Sequence, residues 1–417
     1  MGMSCTFDSL NMATNGTATL RKIEPNIFYS IRVQMLRLPN NPSGPFLSFI
    51  AEFVDQVEFN TFHESLFQIS TRTNLSTIQV FEAKALKQIQ IAEGGDISLR
   101  ELSFFSCGMD RIPPTIGNLP LLTSLTFYQC ALRTVSFEAF AKNSRLTSLD
   151  LSYNEIDTIV PLTVTDSSVA LAIEDLYLTS NRLENLDMTA FDSLSNLVML
   201  DLRYNNLARL AAERTITWPK MESFDISYNQ LRTIDLQWLS APNMKRLSLN
   251  SNLLDKVPQR LRRFPNLQLL SFSDNQFVGI DLAPLNGLPT LNTLDFSNNP
   301  KTRYIRSSRP IQLPSLDSMY AEYCSLSRFN ITGINLPVVS FISLAHNNFS
   351  TIPPLGLGFP SISSFSLYDN PIPCGVLQTR KELLLSGKLI MGPPLDAMNC
   401  QSGTFSVTDS YSVCCKA

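Results

Sequence analysis

From Leu99 onward the chain repeats one arrangement of apolar and polar positions, L-x-x-L-x-L-x-x-N-x-L. Clear copies are LTSLDLSYNEI from Leu146, IEDLYLTSNRL from Ile173, LVMLDLRYNNL from Leu197 and MESFDISYNQL from Met221. MKRLSLNSNLL from Met244, LQLLSFSDNQF from Leu267, VSFISLAHNNF from Val339 and ISSFSLYDNPI from Ile362 continue it, and LNTLDFSNNPK from Leu291 is irregular. Cysteine takes the asparagine place in LRELSFFSCGM from Leu99, LTSLTFYQCAL from Leu122 and LDSMYAEYCSL from Leu316. That position falls at 107, 130, 154, 181, 205, 229, 252, 275, 299, 324, 347 and 370, twelve copies in steps of 23 to 25 residues with one of 27. Chance does not hold a phase over such a length, so the chain is an array of repeats.

Three weaker copies precede these: LSTIQVFEA from Leu75, VDQVEFNTF from Val54 and FYSIRVQML from Phe28. The Val54 copy competes with a helix, because Phe46, Phe49, Ile50, Phe53, Val54 and Val57 follow i, i+3, i+4 spacing.

Within each copy, x-L-x-L-x predicts a short strand whose alternate residues point inward, as Leu149 and Leu151 do while Asp150 and Ser152 face solvent. The following Asn, such as Asn154, sits where the chain leaves the strand, and its amide can satisfy backbone groups that would otherwise be buried unpaired. One repeat cannot fold alone. Burying five or six leucine-type side chains gives roughly 8–15 kcal/mol gross, whereas ordering some 24 residues costs about 1–2 kcal/mol each. Stacking supplies the missing burial and the sheet hydrogen bonds.

The pattern resembles the typical class of leucine-rich repeats, familiar from receptor ectodomains. LRTVSFEAFAKNSRL ending at Leu146 and LENLDMTAFDSLSNL ending at Leu197 carry that class's continuation, and IPPTIGNLPLL from Ile112 is more like plant receptor repeats. The resemblance implies an α/β repeat fold: a curved leucine-rich-repeat solenoid with a parallel β-sheet on its concave face and an irregular or short-helical convex side. Phe140 and Phe191 are its expected buried back-side residues. Residues 28–373 form the expected array, 1–27 a cap or a disordered segment, and 374–417 a cysteine-containing C-terminal cap and tail.

In that tail, Asn370, Pro371 and Cys374 match the N-P-x-x-C start of extracellular caps, and Gly375 to Leu385 predicts a short helix stopped near Gly387. The resemblance favours a Cys374–Cys400 disulfide; the adjacent Cys414–Cys415 departs from the usual cap, and reduced thiols in a cytosolic protein are the alternative. Cys107, Cys130 and Cys324 are expected as buried free thiols at the ladder position rather than metal ligands. No extracellular-type cysteine cluster caps the N-terminus, so residues 1–27 cap the array in another way or the authentic start is missing. Gly2 fits a myristoylation pattern with Cys5 placed for palmitoylation, as short patterns often do by chance.

Composition narrows the function. Of 417 residues 44% are hydrophobic and 17% charged, a globular balance, and a net charge of −3 gives no footprint for nucleic acid. The first residues lack the basic and apolar regions of a secretory signal, and no apolar run reaches a membrane span of about 18 residues. Two histidines, no phosphate loop, no G-x-S-x-G, no H-E-x-x-H and no kinase motif leave no catalytic, metal or cofactor site to propose. Sequons stand at Asn15, Asn74, Asn330 and Asn348 and carry glycans if the chain is secreted.

What remains is the outward face of the strands. Tyr128, Asp150, Tyr153, Tyr177, Asp201, Arg203, Tyr204, Asp225 and Tyr228 form the leading candidate ligand site, and Tyr320, Tyr323, His346 and Tyr368 a secondary one. Exposed tyrosine offers large contact area at low entropy cost. The plainer readings are aromatic residues packed along the face and aspartates as solvated rungs of the sheet. The expected function is non-catalytic recognition of a protein, peptide or glycan, as the extracellular or cell-surface part of a receptor. The alternative is a cytoplasmic scaffold or inhibitor with a protein partner. Oligomeric state is open.

Overall fold

A computed structural model describes residues 3–23, 28–38, 43–95, 97–162, 171–355, 359–392, 400 and 403–417. The chain divides into two compact units, Met1–Asn206 with Ala212–Lys220, and Leu207–Ala211 with Met221–Ala417. Each is a run of stacked coils around its own apolar interior.

In the first unit, parallel strands Met3–Phe7, Phe28–Val33, Gln56–Phe59, Thr77–Val80 and Glu101–Phe105 pair in chain order. Ser124–Tyr128, Ser148–Asp150, Asp175–Tyr177 and Met199–Asp201 continue the sheet in the same way. The repeat phase sets the register: Leu125 pairs with Leu149, Leu149 with Leu176 and Leu176 with Leu200, and all four are fully buried. In the second unit, strands Ser223–Asp225, Arg246–Ser248, Leu269–Ser271 and Thr293–Asp295 stack likewise. Ser318–Tyr320, Phe341–Ser343, Ser364–Ser366 and Leu389–Ile390 follow.

The three degenerate copies each form a strand of this sheet. A further coil precedes them: Met3–Phe7 pairs with Phe28–Val33, Cys5 opposite Ile31, above buried Leu10, Leu20 and Ile23. Its apolar residues lack the leucine spacing, so no motif marks it. The competing readings around Val54 both apply, to adjacent residues. Ser43–Ile50 is a helix that buries Phe46, Leu47 and Ile50, and Val57 lies in the strand after it. Behind the sheet run short 3-10 turns such as Phe137–Phe140 and Met188–Phe191, where Phe140 and Phe191 are completely buried.

The asparagine ladder explains why the coils hold their shape. In Asn154, Oδ1 accepts from Leu132 N–H at 3.2 Å while Nδ2 donates to the carbonyls of Phe127, Leu151 and Ser152 at 2.7, 2.9 and 3.1 Å. Asn181, Asn205, Asn252 and Asn347 each bridge their own turn and the preceding coil in the same way.

Two cysteine expectations are corrected. Cys107 and Cys130 form a disulfide rather than two free thiols. Equivalent positions of stacked coils are one sheet spacing apart, and their Cα atoms lie 4.4 Å from each other, within disulfide reach. Cys324 has no ladder cysteine in either neighbouring coil and stays a buried thiol. At the C-terminus, Cys374 pairs with Cys415 and Cys400 with Cys414, not Cys374 with Cys400. Helices Cys374–Gln378 and Lys381–Leu385 end before Gly387, which takes φ +72°. The hairpin Thr404–Thr408 and Tyr411–Cys414 then returns the last residues to Pro373, where Cys374 N–H donates to Lys416 O and Lys416 N–H to Ile372 O. Successive residues of an extended chain face opposite ways, so neighbouring Cys414 and Cys415 reach different partners. Gly2 lies outside the described residues.

Candidate functional site

From the coil of Thr77–Val80 to that of Ser364–Ser366, a residue in the left-handed region stands immediately before the ladder position. Ser106, Gln129, Tyr153, Ser180 and Tyr204 have φ of 54°, 55°, 58°, 56° and 55° in the first unit. Tyr228, Ser251, Asp274, Asn298, Tyr323, His346 and Asp369 have φ of 50° to 57° in the second. For a non-glycine residue this costs roughly 1–2 kcal/mol, offset by side-chain amide bonds where the next residue is a ladder asparagine. The conformation swings that side chain out of the core, and Tyr153, Tyr204, Tyr228 and Tyr323 are 48%, 48%, 45% and 52% exposed.

In the first unit the aromatics form a continuous row. Phe81 stacks on Phe105 with centroids 4.4 Å apart and planes 5° from parallel, Phe105 meets Tyr128 at 6.1 Å, and Tyr128 meets Tyr153 at 4.8 Å. Phe81 was missing from the sequence-derived set; the signal was its place 24 residues before Phe105, in a copy whose ladder residue is not Asn. Burial first, then Tyr153 and the Asp150 carboxylate, push the Tyr128 hydroxyl above its ordinary acidity range. Tyr177 moves the same way through burial and the nearby Asp175, Asp150 and Asp201. Both stay neutral hydrogen-bonding groups at physiological pH.

The aspartates have a different part. Asp150 Oδ1 accepts the N–H of Ser152 at 2.9 Å, Asp225 that of Ser227 at 2.9 Å and Asp295 that of Ser297 at 2.8 Å. This Asx-type bond to the residue two positions on ties the strand into its turn. Asp201 is 4% exposed, accepts from Arg203 N–H at 3.0 Å, and is gripped by the Arg203 guanidinium at 2.6 Å. The expected solvated rungs are therefore structural acceptors, and Asp201 and Arg203 are held by one another.

Division into units also splits the leading cluster. Tyr128, Asp150, Tyr153, Tyr177, Asp201, Arg203 and Tyr204 belong to the first unit, and Asp225 and Tyr228 to the second. The secondary cluster is compact and lies wholly in the second unit. Tyr323 stacks on His346 at 4.0 Å and 9°, Tyr368 meets the same ring edge-on at 5.0 Å, and His346 Nδ1 is 2.9 Å from an Asp369 carboxylate oxygen. Tyr320 packs against Phe341 at 5.8 Å. Asp369, in the same outward column as Tyr323 and His346, occupies the left-handed position one coil after His346. Sequon residues Asn15, Asn74, Asn330 and Asn348 are all exposed. Among the described residues no three His, Cys, Asp or Glu side chains gather as a metal site, and no helix is long and apolar enough to cross a membrane.

Stacked coils, an inner parallel ladder and an asparagine at most turns define a leucine-rich-repeat solenoid. The comparisons agree: models described as leucine-rich repeats match residues 172–215 and 145–166. The chain is a leucine-rich-repeat protein. PH domain leucine-rich repeat protein phosphatase 1 of Rattus norvegicus is 28% identical over 160 residues, covering 38% of this chain and 9% of that protein. Tsukushi of Mus musculus is 32% identical over 183 residues, 42% of this chain and 49% of its own length. The chain thus spans half or less of these relatives. The solved APL1 leucine-rich repeat domain superposes with a TM-score of 0.54 at 16% identity, covering 99% of this chain and 98% of that one, a likeness of fold.

Proposed function

We propose that the protein is a non-catalytic recognition module, binding a protein, peptide or glycan through the aromatic groups on the outward face of its parallel sheets. One observation carries this reading: tyrosines about half exposed stand at left-handed positions, fixed by a buried amide ladder. Rigidly placed aromatic side chains lose little entropy on contact, which is what recognition surfaces require. The net charge of −3 and the aspartates on this face favour such partners over nucleic acid. Three disulfides support an extracellular or cell-surface setting. The match to the phosphatase relative covers 9% of its length, so this reading carries no catalysis across.

The test is selection of a displayed peptide library on the immobilised protein. Binders are then measured on two variants, Tyr128→Ala with Tyr153→Ala, and Tyr323→Ala with Tyr368→Ala. At least one pair is expected to weaken binding tenfold or more, the scale of an interface hot spot. Binders indifferent to both pairs would refute the reading. Thiol counting on the denatured, unreduced protein tests the compartment: two reactive cysteines, Cys5 and Cys324, are expected, and eight would favour the cytoplasmic scaffold.

A further inference from the structure

A second feature lies in the second unit, among residues between its strands. Gln259, Arg260, Arg262, Arg263, Pro284 and Arg309 line a cleft of about 360 Å³. Four arginines share it, and among the described residues none of the four forms an ion pair.

Their positions are set by the coil backbone. The 3-10 turn Leu261–Arg263 is anchored by Leu261, which is completely buried, so its flanking arginines project outward. Arg260 takes φ +64°. Every other described non-glycine residue with positive φ immediately precedes a ladder position or its counterpart in a degenerate copy; Arg260 is the exception, and the repeat does not demand it. Its guanidinium donates to the Gln237 side-chain oxygen of the preceding coil. The Arg262 side chain runs beside Gly287, which takes φ +82°. From the following coil, Arg309 donates to Ala283 O at 3.2 Å. The nearby carboxylate of Asp281 spends Oδ1 on the N–H groups of Ala283 and Ser308, both at 3.0 Å.

Like charges gathered without an ion-pair partner repel, and neither the core nor the ladder requires them here. Guanidinium groups present paired donors that match sulfate and phosphate oxygens bidentately. We infer that this cleft is a binding site for a polyanionic ligand, and specifically for a sulfated glycan chain. Sulfate esters are chosen over phosphate because the three disulfides point to an oxidising compartment. That choice shares its compartment with the proposed function; the anion site itself is independent of the aromatic surface.

The experiment measures binding of a heparin-derived octasaccharide to the full chain by titration calorimetry. The same octasaccharide after desulfation, inositol hexakisphosphate and a single-stranded RNA oligonucleotide serve as further probes. The sulfated octasaccharide is expected to bind and the desulfated one not. Arg262→Ala with Arg263→Ala and Arg309→Ala should weaken binding at least tenfold. A control of equal charge change, Arg72→Ala with Arg145→Ala and Arg328→Ala, should alter it less than threefold. Arg262→Lys with Arg263→Lys and Arg309→Lys keeps the charge without the fork, should lose an intermediate factor, and stands in if the alanine variant fails to fold. Equal losses in cleft and control variants, tight binding of RNA or hexakisphosphate alone, or no binding of the sulfated probe would each overturn the inference. The peptide binders above should be unaffected by the cleft variants, which separates failure of one reading from failure of the other.

Discussion

Replacing Asn275 by alanine tests the ladder at a site where every consequence can be traced. Asn275 is fully buried; Nδ2 donates to Leu249, Phe272 and Ser273 carbonyls at 2.9, 3.0 and 3.1 Å, and Oδ1 accepts from Leu254 N–H at 2.9 Å. The three carbonyls keep other donors: Asn252 Nδ2 for Leu249, Asn299 Nδ2 for Phe272 and Ser251 N–H for Ser273. Only the Leu254 N–H is stranded, a penalty of about 1–3 kcal/mol for a buried donor. Loss of the amide's own contacts and the small void add about 1 kcal/mol. The expected cost is therefore about 2–4 kcal/mol, not the sum of four full hydrogen bonds. Urea unfolding of the whole chain measures it. Amide exchange adds a local readout, since a stacked array loses its coils by neighbourhood and a single midpoint can hide that. Exchange of the Leu254 amide should speed up more than that of amides several coils away. Asn348→Ala, at an exposed residue one position past a ladder asparagine, is the control and should stay within about 0.5 kcal/mol. A destabilisation below about 1 kcal/mol at Asn275, or uniform exchange, would show that leucine packing alone holds the turns.

Replacing Cys107 and Cys130 together by serine opens a bridge spanning 23 residues and should cost about 3 kcal/mol, read from the denaturant midpoint; an unchanged midpoint in oxidised protein refutes the bond. Arg203→Ala removes the 2.6 Å partner of a nearly buried carboxylate and should destabilise by about 1–3 kcal/mol, while Arg203→Ala with Asp201→Asn should recover part of that loss in a double-mutant cycle. Burial pushes the Cys324 thiol up to about 11 from an ordinary value of 9.0. Its folded-state proton is held more tightly, so the stability it contributes is complete below pH 9 and is lost as pH rises toward 11. Wild-type protein should therefore lose more stability than Cys324→Ala over that window, and parallel curves would contradict the burial argument.

The sequence carried the repeat, the inward leucines and the ladder asparagines because each is fixed by period alone: a residue displaced by one position would turn from core to solvent. Phe140 and Phe191 were expected from the resemblance to typical leucine-rich repeats, and both are completely buried. Asp150 and Asp201 also sit on the period, yet their role depends on a hydrogen bond to the residue two positions on, which spacing between repeats does not display. The cysteines required a distance rather than a pattern. Cys107 and Cys130 are one coil apart and adjacent in space, while Cys414 and Cys415 are adjacent in sequence and face apart.

Phase hides some residues as effectively as it reveals others. Phe81 completes the aromatic row, but its coil ends without asparagine, and Met3–Phe7 starts the sheet without a leucine motif. Arg260, Arg262, Arg263 and Arg309 lie in the variable stretch between strands, where the period sets no residue type and a charge run reads as ordinary surface. Only stacking brings Arg309 to the turn that holds the other three, and only then does a cleft lined by four arginines exist. In a solenoid, then, what is repeated specifies the scaffold, and what departs from the repeat at neighbouring coils is where ligand specificity can accumulate.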